Sequence, residues 1–163
     1  MAGRTSASSS ASSDDLTLDQ RLCLALYTAS RAMTARYRVA LGQLGLTYPQ
    51  YLVMVLLWEE DNCSVGRIGQ RLSLDSSTLS PLLKRLQAMD LVTRTRATAD
   101  ERLMIIGLTE RGRRMHDEAA HVTVDICEAT GITVAEQLEL VSRLRELTTR
   151  LDASTAHASG HRP

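Results

Sequence analysis

The chain has 163 residues, 44% of them apolar, with 19 basic and 19 acidic side chains and a formal net charge of zero. Aromatics are scarce (one Trp, four Tyr, no Phe), which excludes a β-sandwich built on aromatic strands and favours helices packed through Leu, Val, Ile, Ala and Met. The three cysteines, Cys23, Cys63 and Cys127, are widely spaced without a CxxC pair, which excludes a zinc ribbon and a paired disulfide framework.

Charge is unevenly spread. Residues 64–114 carry ten basic and five acidic side chains, leaving −5 on the remainder. A basic module on an acidic scaffold suits phosphate contact. Residues 1–15 are Ser/Ala-rich and read as a disordered tail, and 153–163 as a flexible tail. The N-terminus lacks the apolar run of a signal peptide, and no stretch is apolar enough to span a bilayer. These features predict a cytoplasmic chain with free thiols, no membrane partner, and one domain over 16–152.

Apolar residues at helical spacing (Leu22, Leu26, Met33, Tyr37, Leu41) predict a first helix over about 17–44, stopped by Gly45. A second helix begins at Pro49, after Thr47 or Tyr48, and Glu59-Glu60-Asp61-Asn62 break it. Ser64 caps a short helix over 65–72. A turn at 73–75 and a further helix over about 76–89 complete a helix-turn-helix. Pro81 either kinks that last helix or marks its start, with Ser80 as cap.

The period then changes. Residues 91–96 and 103–108 alternate as strands around a polar turn at 97–102. Thr109 caps a long helix to about Thr130. Thr133 and Glu136 form a capping box for a final helix ending near Leu151, whose apolar stripe is a seam for another helix. The fold expected is mainly α with a small β-hairpin: a winged helix-turn-helix. Its DNA-binding lobe covers about 48–110, and its dimerisation helices about 17–44 and 109–152.

The stretches LDQRLCLALYTASRAMTARYR, LGLTYPQYLVMVLLWEED, SVGRIGQRLSLDSSTLSPLLKRL and LVTRTRATADERLMIIGLTERG resemble the MarR family of dimeric winged-helix repressors. The cysteine in LCLALY together with LTYPQY resembles its organic hydroperoxide resistance regulators, of two-cysteine type. The resemblance implies that Cys23 is oxidised by organic hydroperoxides, that Tyr37 and Tyr48 hydrogen-bond its sulfur with Tyr27 close by, and that Cys127 captures the sulfenic acid as an intersubunit disulfide. It also implies a homodimeric repressor on a pseudo-palindromic operator in double-stranded DNA, and not an enzyme.

The residues themselves constrain this picture. Periodicity alone leaves Cys23 as a small apolar residue on an amphipathic helix. A thiolate is the reactive species, and a helix N-terminus capped by Thr17 or Asp19 would favour it. Cys23 and Tyr37 are 14 positions apart. On one helix that is about 21 Å at ~1.5 Å per residue, so Tyr37 can act on Cys23 only from another subunit. Tyr51 reads as structural and Cys63 as a bystander.

For DNA, the candidates on the second helix of the motif are Ser76, Ser77, Thr78, Ser80, Lys84 and Arg85. Arg94 and Arg96 suit the phosphate backbone. Arg102 and Asp100 resemble the family's wing-tip arginine and its orienting partner. The four histidines show no metal spacing, and no cofactor motif is present. Three other functions stay open: release of DNA by a small phenolic or apolar ligand, thiol peroxidase activity, and a protein-binding winged helix.

Overall fold

The structure is a computed structural model that describes residues 16–97 and 103–159. Thr17 and Gln20 close a capping box over a single 3-10 turn, Leu18–Gln20. Arg21 is extended (ψ 128°), so α1 starts afresh at Leu22 and runs to Ala40. A second 3-10 turn, Gly42–Leu44, ends at Gly45, whose φ of 66° is left-handed and suits glycine. The single helix expected over 17–44 is therefore three pieces. As a result Cys23 is the second residue of α1, and the N-cap position is Arg21, which makes no side-chain cap bond, rather than Thr17 or Asp19.

Helix α2 (Tyr48–Glu59) starts under a Thr47–Gln50 capping box, with Pro49 in the first turn where its missing N–H costs nothing. Val53, Met54 and Leu57 along it are fully buried and form the centre of the core. After the break, Cys63–Ser64 forms a short strand β1 that leads into α3 (Val65–Leu72), where Ser64 accepts from the Arg67 N–H (3.1 Å).

Asp75 caps α4 (Ser76–Ala88) through the Thr78 N–H (2.8 Å). Pro81 lies inside α4 as its sixth residue, so Ser80 is not its cap. The start is fixed upstream because Asp75 also accepts from the hydroxyls of Ser77 (2.5 Å) and Thr78 (3.1 Å). Leu79, Leu83 and Leu86 bury the inner face of α4.

Strands β2 (Val92–Arg96) and β3 (Met104–Leu108) pair antiparallel from Val92–Leu108 to Arg96–Met104, forming the wing. Strand β1 adds to the far side of β3, so the sheet order is β1-β3-β2 rather than a lone hairpin. Two residues are too short a run for alternation to reveal.

Thr109 caps α5 (Glu110–Glu118), but the chain turns at Ala119 and continues as α6 (Ala120–Thr130). The long helix expected over 109–130 is thus two. The break lets α5 pack on α2 and the wing while α6 packs on α1. Gly131 (φ 65°) ends α6, and α7 runs from Val134 to Ser159, eight residues past the expected end at Leu151. The result is the mainly helical winged fold expected from the sequence. No described residue of α7 is buried, and Val134, Leu138, Leu140, Leu144 and Leu151 along it are exposed.

Candidate functional site

Two surfaces hold the residues singled out by the sequence. The first is a cavity of about 400 Å³ between α1, α2, α6 and α7. Its polar lining includes Tyr37 from α1, Tyr48 from α2, Cys127 from α6 and Gln137 from α7, and Met33, Ile126, Leu140 and Val141 supply apolar wall. The capped start of α2 delivers Tyr48 beside Tyr37, and the two rings stack with centroids 4.2 Å apart. Burial, reinforced by Tyr48, Tyr51 and Cys127, pushes Tyr37 up to about 12. Burial and then Tyr51 also raise Tyr48. Both phenols are therefore protonated at neutral pH and able to donate. The Cys127 thiol has a long contact to Gln137 Oε1 at 3.8 Å.

Cys23 does not line this cavity. It is exposed at the start of α1, on the same continuous helix as Tyr37. Tyr27 is also exposed, and its hydroxyl accepts from Arg31 Nη1 (3.0 Å). Within one chain, then, Tyr37, Tyr48 and Cys127 come together, while Cys23 and Tyr27 stay apart from them. Cys63 is buried and donates to the Glu60 carbonyl (2.9 Å), and burial followed by the nearby Glu60 charge pushes its thiol up.

The second surface is formed by α4 and the wing. Opposite its buried leucines, α4 exposes Ser77, Pro81, Lys84 and Arg85. Ser76 and Thr78 are exposed and Ser80 is half-buried, although the hydroxyls of Ser77 and Thr78 are held by Asp75. Arg96 is exposed at the outer end of β2. Arg94, in mid-strand, is half-buried, and its Nε is buried with no hydrogen-bond partner among the described residues. Asp100 and Arg102 lie outside the described residues.

Sequence reasoning missed the joint that holds the wing to the body. Asp61, read only as a helix breaker, accepts from the N–H of Leu108 (2.8 Å) and of Asn62 (2.8 Å) and pairs with Arg113 (2.7 Å). Burial pushes its carboxyl up, but the Leu108 N–H, Arg113 and the Asn62 N–H together hold it below the usual carboxylate range. Glu60 next to it gathers Arg67 (3.1 Å) and Arg71, so two arginines of α3 face a carboxylate rather than a ligand. Trp58 donates through Nε1 to the Gly112 carbonyl (2.9 Å). Gly112 itself packs so closely on Leu91 that a Cβ there would press on the Leu91 carbonyl oxygen. The string LTERG carried the glycine, but only the tertiary contact explains it.

The comparisons with known proteins agree with this geometry. The family described as transcriptional regulator SarA/Rot matches residues 36–119. The chain is 44% identical over 140 residues to the HTH-type transcriptional regulator TtmR of Methylorubrum extorquens (strain PA1), covering 86% of this chain and 72% of that relative. It is 44% identical over 109 residues to the organic hydroperoxide resistance transcriptional regulator of Bacillus subtilis (strain 168), covering 67% and 74%. The crystal structure of AbfR of Staphylococcus epidermidis superposes with a TM-score of 0.72 at 34% identity, over 83% of this chain and 94% of that one. AbfR has also been solved reduced on DNA and in a disulfide form. The chain belongs to the MarR family of winged-helix transcriptional regulators, a family of regulators rather than enzymes.

Proposed function

We propose that this chain is a homodimeric, DNA-binding repressor that releases its operator when an organic hydroperoxide oxidises Cys23. One observation carries the redox part: Tyr37, Tyr48 and Cys127 share a cavity, while Cys23 stands about 21 Å along α1 from Tyr37. If Tyr37 serves Cys23, it does so from the partner subunit. A thiol brought to Tyr37 enters the cavity that Cys127 also lines, which supports an intersubunit Cys23–Cys127 disulfide. Likeness to the organic hydroperoxide resistance transcriptional regulator of Bacillus subtilis and to AbfR, which has been solved in reduced and disulfide forms, supports the reading.

The dimer is supported by the unburied apolar residues on α1 (Leu18 just before it, then Leu22 and Leu26) and along α7. Apolar residues left exposed in this way are accommodated in water once a second copy covers them. In this arrangement α4 enters the major groove, with Ser76 and Ser77 toward base edges and Lys84 on the phosphate backbone. Arg85, Arg94 and Arg96 take phosphates, with Asp100 and Arg102 at the wing tip. Oxidation repacks the subunit interface and so moves the two α4 helices off their half-site spacing.

A gel shift tests the reading. The reduced protein is expected to bind operator DNA, and cumene hydroperoxide to release it. A Cys23→Ser dimer that loses DNA as readily as the wild type would overturn it. A second reading, release by a small phenolic or apolar ligand, draws on the pocket of about 240 Å³ that Tyr51, Trp58, His116 and Thr123 line. It predicts peroxide-insensitive but ligand-sensitive DNA binding.

A further inference from the structure

We infer that Pro81 is a base-reading residue: its ring, at the centre of the outer face of α4, packs against the 5-methyl group of a thymine in the major groove. The inference rests on the DNA-binding reading above and adds to it a residue that selects a base by apolar contact.

Position is the first argument. Pro81 is exposed, and its neighbours three and four places away on the helix surface, Ser77, Thr78, Lys84 and Arg85, are exposed as well. It is thus an apolar ring in the middle of a polar and basic face, while Leu79, Leu83 and Leu86 bury the opposite face in the core. The hydroxyls ahead of it are already engaged, because those of Ser77 and Thr78 both donate to Asp75. They keep lone pairs for a base edge but no free proton. Lys84 and Arg85 bring the charge that holds phosphates. An apolar ring in this setting has a matching partner in the major groove, the thymine methyl, which is the aliphatic group that base edges present there.

Cost is the second argument. Pro81 is the sixth residue of α4, beyond the first turn in which proline is tolerated. It has no N–H, so the Ser77 carbonyl, four places earlier, does not receive its helix bond from this position. Proline inside a helix weakens it, and an exposed ring gains no buried packing to offset the loss. A residue that lowers stability without packing in the core is expected at a functional surface. The recognition face of α4 is such a surface.

The experiment uses the full-length reduced protein, which first selects a binding duplex from a random library. Each thymine of that duplex is then replaced in turn by uracil, which removes only the methyl group. Affinities are read by fluorescence anisotropy for the wild type, Pro81→Ser and Lys84→Ala. At one thymine of each half-site, uracil is expected to weaken wild-type binding about fourfold, the effect of one buried methyl, and to leave Pro81→Ser unaffected. Lys84→Ala is expected to bind both duplexes more weakly while preserving their ratio. The thermal midpoint of Pro81→Ser is expected to be no lower than that of the wild type, because the restored N–H can bond the Ser77 carbonyl. A wild type indifferent to uracil at every position would overturn the inference. So would equal uracil sensitivity in wild type and Pro81→Ser, which, with a lowered midpoint, would assign Pro81 to the fold. A wild type that selects no duplex even at low salt would sink the DNA-binding reading itself, and the inference with it.

Discussion

Tyr37 and Tyr48 stack face to face, ring centroids 4.2 Å apart, although eleven positions and a chain reversal separate them in the sequence. The contact joins the end of α1 to the first turn of α2 and places Tyr37 and Tyr48 in the lining of the cavity that Cys127 also lines. A peroxide-sensing site needs donors of this kind. Their acidity gives the first prediction.

Tyr37 is held at about 12, chiefly by burial, against an ordinary value of 10.0. An acid whose folded value is raised keeps its contribution to stability below the unfolded value and loses it as pH rises. Stability should therefore hold below about pH 10 and decline between 10 and 12. Ultraviolet titration of tyrosinate checks this, with Tyr37→Phe identifying the late component. A wild-type curve in which all four phenols ionise together near pH 10 would contradict it.

Asp61→Asn should loosen the wing. It removes the charge that faces Arg113 and weakens the bonds to the Leu108 and Asn62 N–H groups. Loss of charge-assisted bonds of this sort costs about 1–2 kcal/mol, at the low end here because Arg113 is half-exposed. The Asp61 carboxyl is held low, so its contribution is present above the usual carboxylate range and lost as pH falls through it. Urea denaturation of wild type and variant at neutral and acid pH should therefore converge at acid pH.

Gly112→Ala should be among the costliest conservative changes in the chain. The added methyl meets the Leu91 carbonyl at the junction of α4, β2 and α5. Overpacking of this kind costs about 1–3 kcal/mol. Thermal denaturation reads it as a lowered midpoint. Gly66→Ala, at a site open to solvent, should leave the midpoint nearly unchanged.

If Lys84 and Arg96 meet phosphates, Lys84→Ala and Arg96→Ala should each weaken DNA binding nearly equally on all sequences and lower the salt slope by about 1. Fluorescence anisotropy at several salt concentrations checks this. Lys84→Ala that changes base preference without changing the slope would place Lys84 on a base edge instead.

Much of this molecule was legible in its sequence because its signals are local. Helical spacing gave α1 and α7, Ser64 and Thr109 gave the starts of α3 and α5, and alternation gave the wing. The deviations come from backbone breaks, competing caps and contacts between distant segments. Nothing near Arg21 announces that the chain is extended there, yet that break moves Cys23 into the first turn of α1. Pro81 suggested a helix boundary, and the triple acceptance by Asp75 outweighs it. Ala119 carries no breaking residue, and the chain turns there because α5 and α6 face different partners. The candidate site divides the same way. Its residue types were visible in the sequence, but the joint at Asp61 and the company of Cys127 with Tyr37 depend on contacts between distant segments.

The central claim is that the chemistry of Cys23 is completed by the other subunit, and mixed dimers test it most directly. Cys23→Ser and Cys127→Ser chains are unfolded together, refolded, oxidised with cumene hydroperoxide and run on a non-reducing gel. A covalent dimer band is expected in the mixture, joined through Cys23 of one chain and Cys127 of the other, with none from either variant alone. An equal band from one variant alone, or a wild-type disulfide that maps within a single chain, would contradict the account.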